Sequence, residues 1–292
     1  MGEVNFPEQT PLYHALHADR YARRDLIERV ERITRRKLIV YFTNISHPQS
    51  AISKDDIEHF QEMIYDCLKS KRKSIDLILQ SGGGDIDSAE KIVTLIRRQI
   101  QSLRVIVTER AKSAATLIAL ASNEIVMSDT SELGPIDPQI VIPTPTGRMM
   151  YPAQSFLDGL RRIMDETQQA GALNPVYFPI LSNLNPALID FCVKAIERSK
   201  QFARNWLEQY MCHQNPNKAE QIASQLCDAQ RYASHGAVID WKEAKALGLK
   251  VRYVRPTDRF WEAVWRLHTA YEVFVRRQQI AKVYETSRVS IL

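Results

Sequence analysis

Apolar and polar positions along this chain follow two periods in turn. Short apolar runs at Leu38 to Phe42, Ile75 to Leu79, Leu103 to Val107 and Ile125 to Met127 have the length and β-branched content of buried strands. Helical spacing separates them. Ser53 and Asp56 mark an N-cap region ahead of the stripe Ile57, Phe60, Ile64 and Leu68. A second helix-period segment runs from about Asp85 to Arg98, and Ala114 to Ala121 is an apolar helix. Strand and helix in alternation predict an α/β domain: a parallel sheet with helices on its faces and right-handed crossovers.

The flanks read differently. Leu26, Val30 and Ile33 sit among charges, and predict an amphipathic helix over about Leu16 to Arg35 that packs on the main domain or on a partner chain. After Ile140 the stretch VIPTPTGRMM predicts a turn or hairpin. Helical periodicity returns at Ala153 to Gln169. A proline-interrupted connection covers Asn174 to Pro186, and a long helix follows to Cys212, with Ile189, Val193, Ile196, Phe202 and Trp206 as its candidate buried side. A shorter helix over 217–228, then Val238-Ile239, the helix WKEAKALGL and VRYV close the domain. Asp258 to Gln279 is a last amphipathic helix, rich in aromatics (Phe260, Trp261, Trp265, Tyr271, Phe274). The expected division is an N-terminal helical segment (1–36), a central domain (37–255) and a C-terminal helix and tail (256–292).

Composition narrows the function classes. At 292 residues, 45% hydrophobic and 25% charged, the chain can bury a sizeable core and has ordinary globular composition. The net charge of +5 is a mild excess, spread out apart from small runs at Arg35-Arg36-Lys37 and Lys71-Arg72-Lys73. A nucleic-acid partner is not expected, since that role calls for a clustered basic face interleaved with aromatics. No apolar stretch approaches the roughly 18 residues of a membrane span, so none is expected. The N-terminus lacks the basic-then-apolar pattern of a signal peptide. Met1-Gly2 alone is a weak myristoylation signal. Cys67, Cys192, Cys212 and Cys227 are scattered without metal-ligand spacing, as suits buried thiols in a reducing cytoplasm.

Two stretches carry chemistry. The run SIDLILQ ends in SGGG, where Gly82, Gly83 and Gly84 permit positive φ and close backbone approach to a ligand. Amides there can point at an oxyanion, although a tight strand-to-helix turn needs the same residues. The stretch is neither the dinucleotide fingerprint, because Asp87 replaces the third glycine, nor a phosphate loop, because no Gly-Lys-Ser/Thr follows. The second stretch is Lys112-Ser113-Ala114-Ala115-Thr116. A serine at a helix start is usually an N-cap, but the same position can present a hydroxyl with the positive end of the helix behind it.

Taken together, the QSGGG loop, AKSAATLIALAS, EIVMSDTSELGPIDPQ and the later SHGAVI and EAKALGL resemble the Clp-protease/crotonase superfamily. Within it, the likeness is to the signal peptide peptidase A-like proteases and the serine dehydrogenase proteinase family, over about residues 35 to 250. The resemblance implies a ClpP/crotonase-like spiral of ββα units with flanking helices, and a serine peptidase acting on peptides or proteins without metal or cofactor. It implies Ser113 as nucleophile, Gly83 or Gly84 with Ala114 as oxyanion amides, and assembly into a homo-oligomer such as a trimer, hexamer or ring.

The general base stays open. Clp-type peptidases place a histidine shortly after the serine, whereas this chain has none between His59 and His213 and holds Asp137 there. Signal peptide peptidase A-type enzymes use a lysine, and none lies between Lys112 and Lys194. A lysine base must therefore be Lys112 itself or come from further along the chain; Lys194 and Lys200 rank first, as a Ser-Lys arrangement, with His235 as the alternative. Asp137 either orients a base or fixes its turn, and Lys112 binds a substrate carboxylate or solvent. Two other classes compete: a catalytically inactive oligomeric scaffold of the same fold, and crotonase-like acyl-CoA chemistry, which would use an acidic residue instead of Ser113.

Overall fold

A computed structural model describes residues 10–292 except 71–72, 145–146, 183, 214 and 233. Met1-Gly2, the Lys71-Arg72 pair and Pro145 lie outside the described residues. The strands are β1 (Lys37–Thr43), β2 (Ser74–Gln80), β3 (Ser102–Ile106), β4 (Arg110–Ala111), β5 (Glu124–Met127), β6 (Glu132–Leu133), β7 (Gln139–Thr144), β8 (Gly147–Pro152), β9 (Val251–Tyr253), β10 (Lys282–Glu285) and β11 (Ser290–Ile291). The helices are α1 (Pro11–Leu16), α2 (Ala18–Thr34), α3 (Asp56–Leu68), α4 (Ile86–Gln99), α5 (Ala114–Leu120), α6 (Ala153–Ala170), α7 (Phe178–Ser182), α8 (Pro186–Gln209), α9 (Pro216–Leu226), α10 (Ala229–Tyr232), α11 (Trp241–Ala246) and α12 (Arg259–Gln278).

Seven strands form the main sheet in the order β11-β10-β1-β2-β3-β5-β9. From β1 to β9 every pairing is parallel, and β10 and β11 add an antiparallel edge. Alternate residues of each strand bury against opposite layers. Ile39, Tyr41, Leu77, Leu79 and Val105 pack in one core with side chains of α3, α4, α5 and α9. Leu38, Val40, Phe42, Ile78 and Ile106 face the other way, onto α2 and α12. The two-period pattern thus yields a three-layer α/β domain, covered on one face by the terminal helices.

The apolar stripe foreseen on the long helix is partly displaced. Phe202 is fully buried, but Val193 is exposed and Cys192 takes its place, packed with Ile140 and Ala153. VIPTPTGRMM does form a hairpin, β7–β8. The edge strands β10 and β11 were not foreseen.

A second, much smaller sheet positions the loops. Ile52 bridges Gly84, Ser81 bridges Ala111, β4 pairs with β6 in parallel, and Leu133 bridges Ile239 antiparallel. Each unit of long strand, short strand and helix sends its short strand into this second layer, which is the ββα repeat.

The first of these bridges is anchored by one buried carboxylate. Asp56 is fully buried at the start of α3 and accepts from Tyr41 Oη (2.7 Å), Lys282 Nζ (2.6 Å), the Ser53 amide (3.1 Å) and Tyr284 Oη. Burial, and then the Asp56 charge, holds both phenols well above their usual pKa, so they remain donors. The C-terminal strand β10 thereby secures the turn that presents Ile52 to the glycine loop. Replacing Asp56 by Ala strands two phenols and an ammonium, and is expected to cost about 3–5 kcal/mol in urea unfolding. A loss under about 1 kcal/mol would contradict this role.

Candidate active site

The glycine loop and the serine loop touch through their backbones. Gly83 (φ 101°) lies so close to the second loop that an added Cβ would fall 2.8 Å from both Lys112 O and Ser113 Cβ. Gly84 (φ 150°) is pressed against Ile52, where a Cβ would meet the backbone nitrogen at 2.3 Å. Ile52 donates to Gly83 O (2.8 Å) and accepts from the Asp85 amide (2.9 Å), which fixes the bend from both sides. The Gly83 amide is occupied by Ser81 Oγ at 3.1 Å. Among the described residues, the amides of Gly84 and Ala114 meet no protein acceptor.

Ser113 sits directly before α5 with φ 51° and ψ −120°, a conformation costly for a residue bearing a Cβ. Its side chain makes no capping hydrogen bond. The ordinary reason for a serine at a helix start is therefore absent here. Ser113 is half-buried, and its hydroxyl has no hydrogen-bond partner among the described residues. Thr116 locks the turn from behind: its hydroxyl donates to Ala111 O (2.6 Å) and accepts from the Gly134 amide (3.1 Å).

The short sheet brings in two further residues. Leu133 and Ile239 exchange both backbone hydrogen bonds, at 2.9 and 3.1 Å. Four residues on from Leu133 and four back from Ile239, in antiparallel register, stand Asp137 and His235. Asp137 is 2% exposed, and its Oδ1 lies 2.9 Å from His235 Nδ1. Gln139 Nε2 donates to the other carboxylate oxygen at 3.1 Å. An imidazole whose Nδ1–H donates to a buried carboxylate keeps the lone pair of Nε2 available.

Lys112 stitches these strands together. Its ammonium donates to Leu133 O (3.0 Å) and Ala237 O (2.9 Å) and pairs with Glu132 Oε1 (3.1 Å), so its three protons are all engaged. Burial pulls its pKa down, with Glu132 opposing. Its stem lies across Gly134, where an added Cβ would fall 2.6 Å from Lys112 Cδ. Ala237, two residues after His235, is thus tied to the residue beside Ser113. Ser113 follows β4, Asp137 follows β6 and His235 precedes Ile239 antiparallel to β6. All three leave the same end of the short sheet.

The lysines ranked first by sequence sit elsewhere. Lys194 is exposed and pairs with Asp190 one turn earlier on α8 (2.6 Å). Lys200 pairs with Glu220 of α9 (2.5 Å), whose hydrogen bond raises the lysine pKa, the opposite of what a base needs. Neither makes a hydrogen bond or ion pair with Ser113 among the described residues. Sequence reading missed Ser81, Thr116 and Glu132, whose polar groups hold the loops. Ser81 and Thr116 carried only the signal of proximity to the glycines and to Ser113, and Glu132 carried none.

The fold and the converging loops define a ClpP/crotonase-like α/β protein. The chain belongs to the ClpP-like SDH-type serine proteinase family, whose profile matches residues 21–284. Two uncharacterized proteins of Methanocaldococcus jannaschii are similar to it. One is 31% identical over 208 residues, covering 71% of this chain and 62% of the relative. The other is 29% identical over 181 residues, covering 61% and 51%. The chain therefore spans less than two thirds of the length of either relative. Similar solved structures include a mutant of a membrane-bound stomatin-specific protease (TM-score 0.40, 14% identity, 71% of this chain and 94% of that one). ClpP1 from Listeria monocytogenes is another (TM-score 0.43, 13% identity, 79% and 94%). Among the described residues, no single helix is long and apolar enough to cross a membrane, although the bent pair Pro175–Ser182 and Pro186–Gln209 passes that test jointly.

The loop contact has a direct stability consequence. Gly84→Ala is expected to destabilise the fold by about 1–3 kcal/mol or more, through positive φ and collision with Ile52. Gly82→Ala, whose new Cβ would meet only Ile45 Cγ2 at 3.7 Å, serves as the mild control. Equal unfolding midpoints in urea for the two variants would refute the close packing.

Proposed function

We propose that this chain is a serine peptidase with Ser113 as nucleophile, His235 as general base and Asp137 as the residue that orients it. The observation carrying the reading is the strained, uncapped Ser113 at the end of the short sheet from which the buried Asp137 and its half-buried partner His235 also leave. Family membership supports the reaction class. The geometry favours His235 over the Ser-Lys arrangement, because Lys112, Lys194 and Lys200 are each committed to ion pairs.

In this mechanism Ser113 Oγ attacks the carbonyl carbon of a peptide as His235 Nε2 takes its proton. Asp137 holds Nδ1–H and stabilises the imidazolium. The carbonyl oxygen becomes an oxyanion, met by the free amides of Gly84 and Ala114. His235 returns the proton to the departing amine, leaving an acyl-enzyme ester on Ser113. Water, deprotonated by the same imidazole, then releases the acid. Every step uses side chains and amides of this chain. The inactive-scaffold reading leaves the strain at Ser113 without a purpose.

Self-association is part of the proposal. The β7–β8 hairpin and the region of α7 and α8 expose Met149, Met150, Phe178, Ile180 and Phe191, apolar surface that a second copy would cover. Light scattering should give a mass above that of one chain, and a monomer at micromolar concentration would count against it. The cytoplasm is the compartment proposed, since all four cysteines are free and buried.

A fluorophosphonate probe should label Ser113, and Ser113→Ala should abolish the label. His235→Ala should cut peptide hydrolysis by about 10²–10⁴-fold. Lys194→Ala and Lys200→Ala should stay within about twofold of the parent. Loss of activity in a lysine variant, with His235→Ala still active, would return the base to lysine.

A further inference from the structure

A second cluster of chemistry-bearing side chains lies outside this site. Glu109, His268 and Glu272 each offer one ligand atom, and these atoms lie within 4.8 Å of one another. His268 comes from α12 and is 4% exposed. Its Nδ1 is held by Thr108 Oγ1 at 2.9 Å, and its Nε2 has no hydrogen-bond partner among the described residues. A neutral imidazole nitrogen that no protein donor occupies, set beside two carboxylates, is a ready metal ligand.

The carboxylates are suited to share that ligand. Glu109 Oε2 accepts from Gln80 Nε2 at 2.8 Å, and Oε1 lies 3.2 Å from Arg110 Nη2. Glu272 pairs with Arg276 through Oε1, and its Oε2 accepts no hydrogen bond among the described residues. Bonds of about 2.0–2.2 Å to nitrogen and oxygen place ligand atoms at most about 4.4 Å apart, so a small rotation of the half-exposed glutamates closes the shell. The Thr108 hydroxyl supplies the outer hydrogen bond that a metal-bound histidine requires.

We propose that Glu109, His268 and Glu272 bind a divalent first-row transition ion of the zinc and cobalt type. The position gives the ion a structural consequence. Glu109 directly precedes β4, which leads to Ser113. Gln80, bonded to Glu109, also accepts from the Arg110 amide at 2.9 Å and directly precedes the glycine loop. An ion here clamps α12 to the strand ends that feed both loops. It takes no part in the chemistry proposed above.

Trp265 stacks on His268 with ring centroids 4.6 Å apart at 12°, which provides an optical reporter. Tag-free chain, stripped with chelator, is titrated with Co²⁺ alone by calorimetry and by tryptophan fluorescence. Expected are one ion per chain, a fall in fluorescence and a rise in melting temperature. Glu272→Gln, changed at a half-exposed side chain that leaves folding intact, should weaken binding by about 10-fold or more. Trp265→Phe should bind Co²⁺ by calorimetry while losing most of the fluorescence change. Absence of saturable binding, or Glu272→Gln affinity within about twofold of the parent, overturns the proposal.

Discussion

Two loops of this chain approach each other more closely than any side chain at Gly83 would allow. That constraint organises the rest. The Gly83 backbone lies against Lys112 O and Ser113 Cβ, and the Gly84 backbone lies against Ile52. The absence of two Cβ atoms therefore decides whether the glycine bend can lie against both the serine loop and Ile52. The parallel sheet fixes where β2 and β3 end. Ile52, held in turn by Asp56 and through it by β10, fixes the bend itself.

The short sheet performs the complementary task. Its strands are one or two residues long and contribute little stability alone. Their register nevertheless decides which residues meet: the Leu133–Ile239 pair delivers Asp137 and His235 together although 98 residues separate them. Lys112 reinforces that register from within, bonding the carbonyls of Leu133 and Ala237. A buried ammonium with three acceptors acts as a brace between the strands.

Much of the architecture was legible in the sequence. The apolar runs and helical stripes located β1, β2, β3, β5 and the helices between them, because a two-sided buried sheet demands such runs. The glycines were legible because positive φ and close approach restrict residue choice, and Ser113 because a serine at a helix start can present its hydroxyl and because of the family resemblance. The hydrogen-bonded partners were not. Asp137 and His235 meet through a single-residue bridge, which leaves no periodic signal. Ranking Lys194 and Lys200 ahead of His235 followed family resemblance, whereas their carboxylate neighbours lie one helical turn away or on α9. The edge strands β10 and β11 were hidden by their brevity, and Val193 was misplaced because α8 buries only part of its length.

The central claim is that Ser113, the Gly84 and Ala114 amides, and His235 act on one carbonyl group. A crystal structure of the Ser113 phosphonate adduct tests it most directly. The phosphoryl oxygen should accept hydrogen bonds from both amides, at about 2.7–3.1 Å, with His235 Nε2 facing the phosphorus substituents. An adduct on another residue, or a phosphoryl oxygen turned away from the glycine loop, would contradict it.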